Sequence, residues 1–521
     1  MRRELMIDTL RACEDPWDIV VIGGGATGLG IAVDAASRGF KTLLIERDDF
    51  GKGTSSRSTK LVHGGVRYLR QGNIRLVYEG LKERGLMIHN APHLVSNQKF
   101  IIPAYNWLDG PVYTLGLKFY DLLAGRLGLG PSHWISKQAV IQALPTLKKN
   151  GLKGGIIYHD GQFDDSRMLV SLATTCTDYG GVVLNYMKVV NLIKENGRIT
   201  GMEIYDQEEQ KEYTIRAKSI INATGVYADE IIQLDEPGKK QMIKPSQGIH
   251  IILDDKFLQS RHALMVPRTS DGRVMFAVPW YNRVVVGTTD TLVDQISTEP
   301  RALEEEISFI LETTGQYLDK QPSRKDILCI FAGLRPLVAP EGRGKSTKDI
   351  SRTHKIIVSP SGLITVIGGK WTSYRRMAED TVNAAIKTAK LSAHNCITSS
   401  LFLHGYDTHP ESGVNPSSTY GSDLPEVENI ENESKEFSGF ISEKLRIRKS
   451  HIIWAVREEM ACTLEDVLAR RTRALFLDAR ESMHIAPETA RLMAKELGYG
   501  EEWIGDQLRR YEKLAKGYVL S

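Results

Sequence analysis

The sequence predicts an α/β protein followed by a helical tail. Three observations carry this: a strand–glycine turn–helix–strand unit near the start, a long middle of alternating apolar and polar residues, and an end rich in Glu, Lys, Arg, Leu and Ala. In the first unit, Asp18-Ile-Val-Val-Ile22 is a β-branched run of the kind buried in a parallel sheet. It leads into Gly23-Gly-Gly25-Ala-Thr-Gly28, after which residues 29–38 read as a helix with Ala32, Ala35 and Ala36 on its face. Gly39 stops that helix, and Lys41-Thr-Leu-Leu-Ile45 makes a second strand ending at Glu46.

Further along, residues 182–221 alternate, with turns at Glu195-Asn-Gly197 and Asp206-Gln207, and read as hairpins. Ile249-His-Ile-Ile-Leu253, Val274-Met-Phe-Ala-Val278 and Arg283-Val-Val-Val-Gly287 suggest an antiparallel sheet. Residues 356–367 return to strands around a Ser359-Pro-Ser-Gly362 turn, and 372–391 read as a helix. Residues 401–425 are dense in Gly, Pro, Ser and Asp and are expected to form a linker, with a helical domain over 426–521. Within it, Thr463-Leu-Glu-Asp466 is close to a capping box.

Composition bounds the function. The chain has 521 residues, 41% hydrophobic and 25% charged, which excludes a disordered or fibrous protein. Its 67 basic and 64 acidic residues leave +3, too weak a bias to suggest nucleic-acid binding. Cys13, Cys176, Cys329, Cys396 and Cys462 are scattered, without a CxxC pair, so neither a disulfide framework nor a metal site is expected. The start lacks an apolar core for a secretory signal, and no run approaches the roughly 18 apolar residues of a membrane span. A cytoplasmic protein, or one peripheral on the cytoplasmic face of a membrane, is expected.

The glycine turn carries the most chemistry. Gly23 suits the tight turn, Gly25 admits a pyrophosphate next to the backbone, and Gly28 allows close helix–strand packing. The helix start then faces the phosphates, and Glu46, 18 residues past Gly28, stands where a carboxylate binds ribose hydroxyls. This is a Rossmann-like dinucleotide site. Ile220-Ile-Asn-Ala223-Thr224-Gly225 and Ile364-Thr-Val-Ile-Gly-Gly369 are further strand-to-glycine ends, expected of FAD held by distant segments rather than of NAD. Thr54-Ser55-Ser-Arg-Ser58-Thr-Lys60, then Leu61-Val-His63-Gly64-Gly65-Val-Arg67-Tyr68, combine hydroxyls, glycine amides and cations suited to an anion. Arg335 in Phe331-Ala-Gly-Leu-Arg-Pro-Leu337 sits among apolar residues and demands an anionic partner. Lys370, in Gly368-Gly-Lys-Trp-Thr372-Ser-Tyr374, follows a strand at a helix start.

Together these motifs, with Pro279-Trp-Tyr-Asn-Arg-Val-Val-Val-Gly-Thr-Thr-Asp290, resemble the FAD-dependent glycerol-3-phosphate dehydrogenases, the respiratory enzymes and their oxidase relatives, over residues 15–380 in order. Arg470-Arg-Thr472 is similar to their C-terminal domain. The resemblance implies a discontinuous FAD-binding domain (1–100, 155–240, 350–400), an amine-oxidase-like antiparallel substrate domain (101–154, 241–349) and an all-helical C-terminal domain. It implies non-covalent FAD, with Thr27, Arg47 and Val189 joining the residues above in holding it. It implies oxidation of sn-glycerol 3-phosphate to dihydroxyacetone phosphate, hydride passing from C2 to flavin N5. Arg67, Tyr68, Arg335 and Lys370 would bind substrate. His63 is the first choice of base, because an imidazole exchanges protons near neutral pH and an arginine stays charged, although the family also gives Arg335 a close catalytic part. Lys370 and Thr372 would stabilise the reduced ring. Electrons would pass to quinone at a membrane surface, and a homodimer is compatible with this.

Residues 112–127 bear on the membrane. Thr114, Lys118, Asp121 and Gly125 form a polar stripe on an otherwise apolar helix, as an interfacial helix would have; a half-buried core helix shares that pattern. The alternatives are a glycerol-3-phosphate oxidase using oxygen, another FAD-dependent amino-acid or 2-hydroxy-acid oxidase, and a nucleotide-binding scaffold.

Overall fold

The β-branched run beginning at Trp17 is the centre of a parallel sheet. In the computed structural model, which describes residues 1–520 apart from 70–71, 108, 270–271, 339–353 and 409–415, strand Trp17–Ile22 lies between Thr42–Ile45 and Lys211–Asn222, parallel to both. Val182–Leu184 extends the sheet on one side and Ile364–Gly368 on the other, with His354–Val358 as an antiparallel edge. Strand Lys211–Asn222 serves two partners: its first half pairs antiparallel with Arg198–Asp206 and its second half parallel with Trp17–Ile22. The hairpin turn at 196–197 falls where the sequence marked it, with Asn196 and Gly197 both at positive φ. Helix Ala26–Ser37 covers the sheet and is buried along most of its length, because its small side chains let helices Asp165–Asp178 and Tyr374–Ala389 pack directly on it. At Gly30 a Cβ would stand 2.7 Å from the Tyr374 ring.

A second, ten-stranded sheet contains Leu61–Val62, Val95–Ala104, His133–Ser136, Gly154–Phe163 and the strands from Ile243–Asp254 to Ile327–Val338. It is antiparallel except where Ala263–Val266 runs parallel to Val95–Ala104. Two boundaries differ from the sequence reading. Leu61–Val62 and residues 95–100 of Val95–Ala104, inside 1–100, and residues 155–163 of Gly154–Phe163, at the start of 155–240, pair in this sheet rather than the parallel one. The crossing is abrupt, which hides it in sequence: Asp164 ends the strand and caps helix Asp165–Asp178, accepting from the Ser166 and Arg167 amides at 3.0 Å. The expected boundary at 349/350 lies outside the described residues.

The C-terminal region carries helices Leu424–Glu433, Lys449–Glu458, Ala479–Leu497 and Glu501–Ala515, with a small two-stranded ribbon, Phe440–Ser442 and Ile447–Arg448, between the first two. The Thr463–Asp466 box forms reciprocally, the Thr463 amide donating to the Asp466 carboxylate at 2.8 Å and the Asp466 amide to Thr463 Oγ1 at 3.3 Å. A π-helical turn, Asp466–Arg471, follows it. This domain packs on the second sheet through Phe331, Cys329 and Ile252, with Phe476 edge-on to Phe331 at 5.0 Å. Each such side chain contributes about 1.5–3 kcal/mol when fully buried, so this apolar seam outweighs exposed ion pairs worth about 0–1 kcal/mol.

Helix Asp109–Ala124 departs from the expected pattern. Val112, Leu115, Phe119 and Leu122 are exposed, Leu115 and Leu122 each 74%, and their spacing puts them on one face. Leu117 and Tyr120 face inward. The polar stripe of Thr114, Lys118, Asp121 and Gly125 is not a single face: Asp121 turns to the protein, accepting from the Ser132 amide at 2.6 Å and hydroxyl at 2.9 Å, while Lys118 stays exposed among the apolar residues.

The segment leading into the C-terminal domain is pinned by a histidine. His404 stands 2.8 Å from Asp178 and 3.1 Å from Asp423, and its hydrogen bonds to those two carboxylates, opposed by burial, push its pKa up to about 10. A folded-state pKa above the unfolded value contributes stability that is complete below about pH 6.5 and is lost as pH rises through about 10. The melting temperature of the protein should therefore fall between pH 7 and 10, and His404→Gln should flatten that decline; an identical slope in the variant would rule the contribution out.

Candidate flavin and substrate site

The strands of the parallel sheet end in register, Ile22 beside Ile45 and Asn222, and Asn222 beside Thr365. Ligands of open α/β sheets bind outside such carboxyl ends, and a cavity of about 430 Å³ opens there. Its floor is the glycine turn. Gly23 has φ +112°, and a Cβ on it would stand 2.7 Å from the Ala223 carbonyl oxygen; a Cβ on Gly28 would be 1.8 Å from the Gly23 oxygen. Gly25 caps the helix, whose first turn carries no acidic side chain to repel a diphosphate. Ser55 crosses above it, its Oγ accepting from the Ala26 amide at 3.0 Å.

Glu46 completes the nucleotide end. Its carboxylate accepts from the Gly24 amide at 2.6 Å and the Asp48 amide at 2.9 Å. Burial pushes its pKa up to about 7, helped by the Asp48 charge and opposed by those two amides. Arg47 lies over the Tyr227 ring at 4.6 Å, and Thr27, Thr54, Ser58, Val189, Thr224 and Gly225 line the same space. A bare-backbone turn, a helix start, a ribose-height carboxylate and a long cavity fit an adenine dinucleotide.

At the other end the two sheets meet. His63 follows strand Leu61–Val62 of the second sheet, and its amide donates to Thr372 Oγ1 at 3.2 Å, at the start of the helix that covers the first sheet. The next amide, Gly64, donates to the Tyr120 hydroxyl at 2.8 Å, and that hydroxyl is held by Asp160 at 2.9 Å. Arg335 projects from strand Ile327–Val338. Its guanidinium donates to the Thr289 carbonyl at 3.0 Å, Thr288 Oγ1 at 3.2 Å and Gln247 carbonyl at 3.3 Å, with Asp290 at 3.4 Å. Gly248 makes room for it, since a Cβ there would fall 2.3 Å from Arg335 Nη2. The Lys370 ammonium lies 4.1 Å from the centre of the Tyr68 ring, beside Gly65. His63, Tyr68, Arg335, Lys370, Gly369 and Thr372 thus share one cavity with Gly23, Gly25, Glu46 and Ala223.

Some expected residues stand elsewhere. Lys60 does not line the cavity: it is fully buried, its ammonium 2.6 Å from Asp165 and 2.7 Å from the Ser56 carbonyl, ringed by Trp280, Phe331 and Phe476. Burial lowers its pKa to about 8 despite Asp165. Gly28, Gly64 and Gly65 act behind the lining through their lack of a side chain. The Arg67 side chain lies outside the described residues. Sequence reasoning missed His250, which lines the cavity with its Nε2 2.9 Å from Thr59 Oγ1 and its ring stacked on Phe331 at 5.0 Å. Burial, with Lys60 and Arg335 nearby, holds that imidazole well below its usual pKa and so neutral. Its only signal was a histidine inside an apolar strand.

The family description "FAD dependent oxidoreductase" matches residues 18–375, and "C-terminal domain of alpha-glycerophosphate oxidase" matches 363–503. The mitochondrial glycerol-3-phosphate dehydrogenase of Homo sapiens is 39% identical over 98% of this chain and 74% of its own length. The chain belongs to the FAD-dependent glycerol-3-phosphate dehydrogenases. The mitochondrial glycerol-3-phosphate dehydrogenase SDP6 of Arabidopsis thaliana is 38% identical over 96% of this chain and 85% of its own. Among solved structures, the glycerol-3-phosphate dehydrogenase of Bacillus halodurans complexed with FAD superposes with a TM-score of 0.80 at 30% identity, covering 99% of this chain and 98% of that one. The cofactor is FAD, and the cavity of this family member has the shape and donors for it.

Ribose hydroxyls would donate more strongly to an ionised Glu46 than to a protonated one, and burial lifts its pKa to about 7, well above the ordinary carboxylate value. FAD should therefore bind tightest above about pH 7 and weaken up to about tenfold per pH unit below it, measured as flavin fluorescence quenching on titrating the apoprotein. Glu46→Gln should weaken binding and remove that pH dependence. A dissociation constant that does not change between pH 5.5 and 8 in the wild type would exclude this role.

Proposed function

We propose that the protein oxidises sn-glycerol 3-phosphate to dihydroxyacetone phosphate and delivers the electrons to a quinone while docked on a membrane surface. The observation that carries the reaction is the meeting of His63, Arg335 and Lys370 in one cavity with the flavin crevice. A phosphomonoester is a compact dianion, and two cations from different sheets, Arg335 and Lys370, suit it with directional and point-charge contacts respectively. Arg335 cannot serve as a base near neutral pH because a guanidinium stays protonated. His63, an imidazole at the end of the cavity where the two sheets meet, would take the C2 hydroxyl proton. Its backbone is held by Thr372 and its neighbour by Tyr120, so the imidazole is presented from a fixed turn. Neutral His250, hydrogen-bonded to Thr59, lies near Arg335 without adding a charge that would compete for the dianion. Bound FAD supplies the acceptor for the C2 hydride. Walls of Phe276, Leu61 and Trp371 limit water around it.

One observation favours the membrane part. The exposed stripe of Val112, Leu115, Phe119 and Leu122, with Trp107 beside it and Lys118 among it, is the pattern of a helix resting in a lipid interface. Among the described residues no helix is long and apolar enough to cross a membrane, so attachment would be to one leaflet, on the cytoplasmic face in this reading. A lipid-soluble acceptor suits such a site.

His63→Ala should slow flavin reduction by glycerol 3-phosphate by about 10²–10⁴-fold, followed as bleaching of the flavin band in stopped flow, while FAD content stays unchanged. Arg335→Ala should lower kcat/KM by about 10- to 100-fold. Wild-type rates in either variant would remove that residue from the mechanism, and no bleaching of the wild type by glycerol 3-phosphate, with bleaching by an amino acid or 2-hydroxy acid, would overturn the substrate. Reoxidation of the reduced flavin faster by quinone than by oxygen is expected; the reverse order would make the protein an oxidase. Leu115→Glu with Leu122→Glu should reduce sedimentation with phospholipid vesicles at least about tenfold, each leucine contributing about 1.5–3 kcal/mol on burial, and should leave turnover with a water-soluble dye intact. Undiminished sedimentation would place the contact elsewhere.

A further inference from the structure

Three arginines of the C-terminal domain reach out of it and end on one loop of the flavin domain. Residues 47–58 form that loop, which closes over the glycine turn: the Gly51 amide donates to the Gly24 carbonyl at 3.0 Å, and Ser55 Oγ takes the Ala26 amide. At one end of the loop Asp49 is completely buried. Arg471 grips its carboxylate with both terminal nitrogens, at 2.7 and 2.8 Å, and Arg470 Nε donates to it as well. At the other end Arg473 donates to the Ser56 carbonyl at 3.0 Å and to Asp165 at 3.1 Å. A π-helical turn and a left-handed residue, Arg473 at φ +64°, aim three arginines within four residues at these targets.

We propose that the C-terminal domain is a cofactor-retention element, in which Arg470, Arg471 and Arg473 hold the 47–58 loop closed over the FAD diphosphate. This rests on FAD occupying the crevice described above. Buried ion pairs seldom improve net stability over apolar packing, so a trio of buried arginines converging on one loop is better accounted for by what the loop does. The domain already has an apolar seam with the second sheet; the arginines add a defined position for Gly51 to Ser55, which the seam does not touch. They act as positioning residues, since none of the three lines the cavity.

The test follows release of FAD from the purified holoenzyme after dilution, by the rise in free-flavin fluorescence. Asp49→Asn with Arg471→Met removes both charges of the bidentate pair together, and Arg470, which also donates to Asp49, keeps Glu465 and Asp466 as carboxylate partners. Arg457→Met breaks an ion pair with Glu496 and Glu433 inside the C-terminal domain, away from the loop, and reports any general loosening. The double variant should release FAD at least tenfold faster than wild type, and Arg457→Met within twofold of wild type. KM for glycerol 3-phosphate, measured with saturating FAD, should not change in the double variant. Release at the wild-type rate in the double variant, or equal acceleration in Arg457→Met, would overturn the proposal. Purified wild type that carries and takes up no FAD would instead overturn the cofactor assignment beneath it.

Discussion

The contact on which the rest of the site depends is between two pieces of backbone. Gly23 passes so near the Ala223 carbonyl that no side chain fits between them, and Gly28 passes as near the Gly23 oxygen. These approaches draw the carboxyl ends of strands Trp17–Ile22 and Lys211–Asn222 together with the helix start, and they define the floor against which a diphosphate can lie. Glu46 and Ser55 are then placed by amides of the same turn, Gly24 and Ala26. A methyl group at Gly23 or Gly28 would need the whole edge of the sheet to move.

Charge is divided with equal economy. Arg57 and Lys52 share Glu299, Lys60 is neutralised by Asp165, and Arg167 by Glu459, all at low exposure. These pairs tie the two sheets and the C-terminal domain to one another. Arg335 is held mainly by carbonyl and hydroxyl oxygens, with one carboxylate at 3.4 Å, and Lys370 lies over a ring. Such partners orient a cation while leaving more of its charge for an anion than a close bidentate carboxylate would. The nearly neutral total of +3 therefore conceals a cavity that gathers the positive charge of Arg335 and Lys370.

The legible parts of this molecule were those written in adjacent residues. The strand–turn–helix at 18–38, the hairpin at 195–197 and the box at 463–466 each depend on neighbours a few positions apart, and each forms close to where the pattern marks it. Lys60 was misread because its loop is polar while its fate is decided by Asp165 and three aromatic rings more than a hundred residues away. Asp121 was misread for the same kind of reason: helical spacing put it on a polar stripe, but Ser132 turns it inward. His250 left almost no trace, since a histidine in an apolar strand looks the same beside a cavity or in a core. The crossing at Asp164, where one strand leaves the second sheet and its helix joins the first, has no local mark beyond a capping aspartate.

Tyr120 joins two surfaces that are otherwise unrelated. It belongs to the helix whose far side is bare and apolar, yet its hydroxyl holds the amide directly after His63, with Asp160 and Arg84 locking it from behind. The helix that bares Val112, Leu115, Phe119 and Leu122 on one side is therefore, on its other side, part of the scaffold that fixes the turn carrying His63.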